Sequence, residues 1–416
     1  MFNIPFTLID YKITNIFQLL KDFVFNKSCK DNKEKIIDTF QKEFPNKEIA
    51  LLPSARLGFY LTLKKYFKEN DEVIFSAMSF PLYVKIANQL NLKVVLVDVN
   101  QSTLNIDENK IESKINTNTK GIIITHLFGY PCEISKIQKI ANKHNLKLIE
   151  DCAQSFGSYY ENMHTGNFGN VGIFSTSLVK IPTTLGGGIV VTKDKDLIKI
   201  IDEFNNQLPK SYIIYLKYFL KNFISLLNSK PLIYTLFSSK IFSILNKYNP
   251  RIYRKIIYSG MGLQKRFDPS ERLNLKNYQV NFGLDQFKNY SILRQKCKEN
   301  SDYIQNNLKD VNEIEFLNYK QSTKWNHQYL VIKIRKNLEN FSKKMFNNKI
   351  HAMEENVWNC LDYGYKIKNE NENFDITKNN NIKLLRIQNS PSLKKKELDY
   401  IIDTIKKVSK THNVNE

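Results

Sequence analysis

Between residues 49 and 192 short apolar runs alternate with helix-like stretches, and this alternation limits the chain to a small set of folds. The runs are Ile49–Leu52, Val73–Ser76, Val94–Val97, Ile122–Thr125, Leu148–Glu150, Gly172–Phe174 and Ile189–Thr192. They are rich in Val and Ile and apolar on both faces, as strands buried on both sides are. Leu57–Phe67, Val84–Leu90 and Ile134–Asn145 lie between them with helical spacing. Seven such strands with interleaved helices predict an α/β domain with a large, mostly parallel seven-stranded sheet covered on both faces.

The rest of the chain is organised differently. Residues 276–308 read as one long helix. Beyond them strand signals at Tyr329–Ile334 and Lys383–Ile387 precede a final helix from Lys394 to about Lys407, which predicts a smaller C-terminal α+β domain. The Asn- and charge-rich stretch 366–382 reads as a loop. With 416 residues, two or three domains are expected. The divisions are 1–203 for an N-terminal segment with the large domain, 204–267 for a helical insert, and 268–416 for the long helix and the small domain.

That insert contains no Asp or Glu and eleven basic residues, among them Lys210, Lys217, Lys221, Lys240, Lys247, Arg251, Arg254, Lys255 and Lys265. Within 212–228 the polar positions Lys217, Lys221, Ser225 and Asn228 fall near helical spacing and leave a wide apolar face. Pro231 breaks the run, and a second amphipathic stretch extends to about Lys247. Two readings are open: helices lying on an anionic membrane surface, or an insert packed on its own protein.

The net charge of +21 admits nucleic acid, membrane surface or phosphate-bearing substrates as partners. No nucleic-acid reading motif accompanies it, so no nucleic acid is expected. The cysteines Cys29, Cys132, Cys152, Cys297 and Cys360 show no C-x-x-C spacing. Neither a zinc site nor a disulfide framework is expected, and the set fits a reducing cytosol. The N-terminus lacks the pattern of a signal peptide, and no apolar stretch is long enough to span a bilayer. The expected location is cytoplasmic, peripheral on the inner face of the membrane if the insert docks there.

Four segments carry residues suited to chemistry. The run Leu148–Glu150 ends in Asp151, where ligands of open α/β sheets sit. A carboxylate there can pair with a pyridinium nitrogen, although an Asp after a strand also serves as a helix cap. The run Gly172–Phe174 leads through Ser175 to Lys180. A Lys beyond a strand end, near a desolvated pocket, is able to form a Schiff base, and the Ser175 hydroxyl can bind a phosphate. A lysine alone reads as a solvated surface charge, and its pairing with Asp151 on the neighbouring strand favours the functional reading. In the third segment Ser54 caps the helix that follows. The N–H groups of Ala55 and Arg56 then face any anion at that helix start, and the Arg56 side chain adds charge. In the fourth, Phe80 is placed to stack on a planar ring, or to fill core.

Taken in order, these segments resemble the DegT/StrS-type sugar aminotransferases, a branch of the fold-type-I pyridoxal-phosphate enzymes. The matching stretches are Ser54-Ala55-Arg56, Asp71–Ile74 with Ser79-Phe80, and Val97-Asp98 with Thr103–Asp107. They continue through His126–Pro131, Glu150–Gln154, Phe174-Ser175 to Lys180, and Gly186–Gly188 into Val191-Thr192. The resemblance covers residues 50–195 and, less closely, 276–308, and the insert resembles that of a divergent subgroup found with polysaccharide genes. It implies pyridoxal 5'-phosphate bound to Lys180, which is also the general acid–base, with Asp151 on the ring nitrogen and Gln154 on the ring or its phenolic oxygen. It also implies Phe80 stacked on the ring, and Ser175, Ser54 and the amides of Ala55 and Arg56 on the phosphate. The implied reaction is amino transfer from glutamate to a keto sugar, nucleotide- or lipid-linked, in surface-polysaccharide synthesis by a homodimer. Dehydratase members usually replace the lysine, and Lys180 is present. The competing reading is a family member with a regulatory, scaffolding or membrane-surface assembly role. No metal is implied.

Overall fold

The computed structural model describes residues 2–25, 30–209, 211–257, 266–271, 273–318, 323–378 and 383–412. Cys29, Lys210, Lys265 and Arg272 lie outside them. All seven expected strands form, as β1 (Glu48–Leu52), β2 (Glu72–Ser76), β3 (Lys93–Val97), β4 (Thr119–Thr125), β5 (Lys147–Asp151), β6 (Val171–Ser175) and β7 (Gly188–Thr192). They make one sheet in the order β1-β7-β6-β5-β4-β2-β3. Every neighbouring pair is parallel except those of β7, which runs antiparallel to both β1 and β6.

The sheet is covered on both faces, which is why its strands are apolar throughout. On one face lie α3 (Ala55–Tyr66), α4 (Pro81–Gln89) and α6 (Lys195–Gln207), which bury Leu57, Leu61, Val84 and Leu197 against Val73, Phe75 and Val190. The other face is covered by α5 (Ile134–Lys143), through Ile134 and Ile137. Beside it lie α2 (Lys30–Glu43) and α10 (Asn277–Lys288), where Phe40 meets Phe174 and Phe287. A second, antiparallel sheet is built from β8 (Ile314–Phe316), β9 (Leu330–Ile334), β10 (Met353–Glu354) and β11 (Leu384–Ile387), in the order β8-β9-β11-β10. Against it pack α12 (Leu338–Asn347) and α13 (Lys395–His412), burying Phe341, Met345, Ile401 and Ile405.

Three expectations are corrected. The long helix at 276–308 is two helices, α10 and α11 (Tyr290–Leu308), which meet at Asn289. The Asn289 side chain donates to the Asp285 carbonyl at 2.8 Å, a local bond of the kind that competes with helix continuation. The stretch 366–382 contains a short helix, Asp375–Lys378, whose first amides and the Thr377 hydroxyl donate to the buried Asp98 carboxylate. The final helix runs on to His412. The N-terminal α1 (Ile13–Phe25) and α2 were not expected at all.

The insert forms α7 (Tyr212–Asn228), a π-helical turn (Tyr234–Ser238), α8 (Ser239–Tyr248) and α9 (Pro250–Ile257). Its apolar surface is divided between two environments. Tyr215, Phe219 and Leu226 are buried against α1 and α10, where Phe219 stacks on Phe23 at 3.8 Å and meets Tyr278 edge-on. Tyr234 and Tyr253 both bond to the buried His351, the second at 2.7 Å, tying the insert to the small sheet. Outward, Ile213, Leu220, Ile224, Phe237, Ile241 and Ile244 remain exposed, as do Ile13, Phe17 and Val24 of the adjacent α1. Among the described residues no helix is long and apolar enough to cross a membrane.

Candidate active site

The carboxyl ends of the parallel strands bring the sequence-selected residues to one edge of the sheet. β5 ends in Asp151, whose register partner is Ile173 on β6. Two residues further along β6, Ser175 pairs with Gly188 on β7. A Cβ built on Gly188 would lie 2.2 Å from the Ala55 nitrogen and 2.5 Å from the Ser54 carbonyl carbon. Only glycine allows the strand to approach the start of α3 so closely. One continuous set of contacts therefore joins Ser175, Gly188 and the Ser54–Ala55 turn. Ser54 caps α3, its Oγ accepting from the Leu57 N–H at 3.3 Å, and the first amides of such a helix have no intrahelical acceptor. The Ser175 Oγ accepts weakly from the Ser177 N–H, at 3.4 Å, which leaves its own proton to donate. Arg56 is half-buried in the first turn of α3.

Asp151 is 2% exposed. Its carboxylate accepts from the Thr125 hydroxyl and from the Ala153 N–H, both at 3.1 Å. The second bond closes a local turn, so the capping element of the sequence reading is present but belongs to a turn. Burial pushes the Asp151 carboxyl up, while those two donors and the charge of Lys180 act to lower it. A cation set against this carboxylate would favour its ionised form. On the same strand Glu150 points to the opposite face. It accepts from the Gly166 and Gly169 amides at 2.7 and 2.6 Å and pairs with His126 Nε2 at 3.1 Å. His126 Nδ1 in turn accepts the Cys132 N–H, which leaves Nε2 to donate to the Glu150 carboxylate. His126, Glu150 and Cys152 lie close enough to hold a metal ion. Both ring nitrogens and both carboxylate oxygens of that group already have protein partners, so the cluster reads as structural.

Lys180 follows β6 and is half-buried. Its Nζ donates to the Tyr329 hydroxyl at 2.9 Å and lies 5.1 Å from that ring's centroid. The Arg386 guanidinium lies 4.9 Å from the centroid of the same ring and is paired with Glu355 at 3.1 Å. Tyr329 and Arg386 were not expected as site residues. They stand on β9, or just before it, and on β11, in stretches that read simply as strands, and nothing in their local pattern links them to Lys180. The N-terminal segment Phe6–Asp10 was missed as well. With Lys180, Tyr329 and Arg386 it borders a cleft that Asp151, Phe80 and Ser175 do not border.

Two further expected residues sit close to the strand ends. Gln154 is buried, and its Oε1 accepts the Phe128 N–H at 2.5 Å, which orients the amide and leaves Nε2 as the donating end. Phe80 precedes α4, half-buried, edge-on to Tyr83 at 5.2 Å and near Trp358 at 5.9 Å. The arrangement provides a lysine, a buried carboxylate and a helix-start anion site around one edge of the sheet. These fit a planar, phosphorylated, nitrogen-protonated ring. The glycine that lets β7 reach the α3 start and the carboxyl raised by burial near Lys180 are the features that make the fit specific.

Known proteins are similar to this chain over part of its length. Residues 40–211 match the DegT/DnrJ/EryC1/StrS aminotransferase family. The chain is 39% identical over 158 residues to the lipopolysaccharide biosynthesis protein RfbH of Salmonella typhimurium, covering 38% of this chain and 35% of that protein. To the GDP-perosamine synthase of Escherichia coli O157:H7 it is 37% identical over 139 residues, covering 33% and 38%. The alignments thus span little more than a third of these relatives' length. Among solved structures, PseC of Helicobacter pylori, an aminotransferase involved in the biosynthesis of pseudoaminic acid, superimposes with a TM-score of 0.76 at 18% identity. The match covers 98% of this chain and 100% of that one, a likeness of fold.

Proposed function

We propose that this chain, whose residues 40–211 match the DegT/DnrJ/EryC1/StrS aminotransferase family, is a pyridoxal-phosphate aminotransferase acting on a keto sugar in surface-polysaccharide synthesis. One observation carries the reading: the Asp151 carboxyl is buried at the end of β5, beside the strand that leads to Lys180. The cofactor, when bound, supplies an electron sink that stabilises a carbanion at the amine-bearing carbon.

The protein's own groups then have separable tasks. Lys180 would anchor the cofactor and, once released, act as the general acid–base that takes up and returns the proton at the amine-bearing carbon. The Tyr329 hydroxyl, accepting from Nζ, holds the lysine in position. Asp151 keeps the ring nitrogen protonated, and Thr125 and Ala153 fix its oxygens. Ser54, Ser175 and the amides of Ala55 and Arg56 hold the phosphate. Phe80 packs on the ring, and Gln154 donates to its edge. With both Lys180 and Asp151 present, catalysis is favoured over a purely regulatory or scaffolding role.

Borohydride trapping in the presence of pyridoxal phosphate tests this. A stable mass addition is expected on the Lys180 peptide, and Lys180→Ala is expected to lose both the addition and amino transfer while keeping its thermal midpoint. Undiminished transfer by Lys180→Ala sinks the assignment.

Three finer readings accompany it. The chain divides into a cofactor-binding part (1–203), an insert (204–267) and a C-terminal part (268–416); limited proteolysis that spares both junctions and cuts within the parts would reject these divisions. The protein is a homodimer, a reading that rests on the family resemblance and, secondarily, on the exposed apolar residues Ile13, Phe17 and Val24 of α1. The insert lies on the inner face of an anionic membrane. Its support is the outward apolar row on α7 and α8, with Lys217, Lys221, Lys240 and Lys247 along the same helices and no acidic residue.

A further inference from the structure

Two parts of the small domain reach the edge of the large sheet where Lys180 and Phe80 stand. One is Tyr329, whose hydroxyl accepts from Lys180 Nζ. The other is the segment Trp358–Cys360, which runs along the chain leaving β2. The Trp358 carbonyl accepts the Ser79 N–H at 3.0 Å, and the Cys360 N–H donates to the Ala77 carbonyl at 2.9 Å. Met78 and Asn359 form an antiparallel bridge between those two bonds. The pairing sets the half-buried Trp358 indole beside Phe80 and edge-on to Phe128, at 5.9 and 6.2 Å between ring centres.

Both parts meet at Glu355, which follows β10 and is 3% exposed. One carboxylate oxygen accepts from Trp358 Nε1, and the other pairs with Arg386 Nε at 3.1 Å. The Arg386 guanidinium in turn lies 4.9 Å from the centroid of the Tyr329 ring. The Glu355 N–H donates to the Leu384 carbonyl at 2.9 Å, so the carboxylate is carried by the small sheet itself. A buried carboxylate is costly unless its oxygens are paired, and losing one partner exposes the full penalty. Glu355 therefore restrains Trp358 and Arg386 together.

We propose that Glu355 is a positioning residue for the cofactor site: it holds Trp358 beside Phe80 and Arg386 beside Tyr329, and so fixes Phe80 and Lys180 from a single carboxylate. The proposal rests on the aminotransferase reading, which assigns Phe80 and Lys180 to the cofactor. It makes docking of the small domain a condition for loading that cofactor. The rival is an ion pair that only stabilises the small sheet. Each arm, however, crosses from the small sheet to the large domain. One runs through Trp358 to Phe80 and Phe128, the other through Arg386 and Tyr329 to Lys180. A carboxylate serving the small sheet alone would need neither crossing.

The test measures loading of pyridoxal 5'-phosphate by the full chain, as the fraction of the Lys180 peptide modified by borohydride trapping at stepped cofactor concentrations. Glu355→Gln keeps an acceptor for the indole and loses the charge that pairs Arg386. It is expected to raise the half-saturating concentration by at least about tenfold. Trp358→Phe keeps a ring beside Phe80 and loses the indole N–H, and is expected to raise it by about threefold. A double-mutant cycle reads the route. In a Tyr329→Phe background Glu355→Gln is expected to add less than about threefold, because the hydroxyl through which it reaches Lys180 is gone. A merely structural role gives the full change in both backgrounds, and that result overturns the proposal. So does wild-type loading by either Glu355→Gln or Trp358→Phe. If Glu355→Gln folds poorly, Glu355→Gln with Arg386→Gln, which leaves no charge of the pair behind, takes its place in the same cycle. A wild-type chain that traps no cofactor on Lys180 overturns the aminotransferase reading, and this proposal with it. A wild type that traps cofactor while the variants match it overturns the role of Glu355 alone.

Discussion

Lys180 and Asp151 differ in how much of their role depends on neighbours. Among the described residues the lysine's Nζ donates to the Tyr329 hydroxyl, whereas the aspartate is enclosed by Thr125, Ala153 and the strands beside it. Enclosure makes the carboxylate's charge effective, because a low-dielectric setting strengthens its attraction for a protonated ring nitrogen. An amide of the same shape keeps the packing and loses the charge. Asp151→Asn is therefore expected to fold normally and to lower turnover by about a hundredfold or more, near 3 kcal/mol of transition-state stabilisation. Steady-state kinetics at saturating substrates would show it, and turnover within a factor of about two of wild type would reduce Asp151 to a turn-forming residue.

At the scale of elements the insert shows how a sequence with apolar residues on most sides of a helix resolves. α7 turns Tyr215, Phe219 and Leu226 inward and still leaves Ile224 56% exposed, while α8 leaves Ile241 58% exposed. Packing on the protein has used one face only. Each basic residue near an anionic bilayer adds on the order of 1 kcal/mol, so a few of them beside that outer row suffice for measurable attachment. The protein is expected to co-sediment with phosphatidylglycerol-rich vesicles at low salt and to release as salt rises. Ile224→Glu with Ile241→Glu is expected to weaken the attachment without changing the fold, since both side chains already face outward. No vesicle binding at low ionic strength would mean that something other than lipid covers this face.

Across the whole molecule, buried histidines contribute to the response to acid, His351 and His164 among them. Burial lowers His351 from 6.5 to about 3 and His164 from 6.5 to about 4. His164 accepts the Gly157 N–H on Nε2 at 2.7 Å and faces the Thr165 carbonyl with Nδ1 at 2.5 Å, an arrangement that suits the neutral ring. Both folded values lie below the unfolded one, so the unfolded chain takes up more protons once pH falls below about 6.5. Stability that is present above that pH is lost as it drops toward 4, by up to about 1.4 kcal/mol per pH unit for each histidine. Urea unfolding at stepped pH should show this fall, and His351→Asn should reduce its slope. A flat profile between pH 6.5 and 4.5 would contradict the neutral assignments. The homodimer belongs to this scale too: a monomer in sedimentation at micromolar concentration, with full activity, would exclude it.

The local pattern alone determined the seven strands, their burial on both faces, and the placement of Asp151, Ser175 and Ser54 at strand ends. Periodicity and polarity act over a few residues, and a strand that must be covered on both sides records that need in its own composition. The break at Asn289 escaped this reading because a single side-chain bond to Asp285 sets it. The extra N-terminal helices escaped it because their stability comes from packing against α10 and α7. Tertiary structure alone decided that Tyr329 and Arg386 stand beside Lys180, since a pairing across 149 residues leaves no trace in either segment. It also decided that the insert's apolar surface divides, part packed inward and part exposed. A helix that is apolar most of the way round specifies that it must be covered, and which face meets protein is fixed only by the neighbours that fold against it.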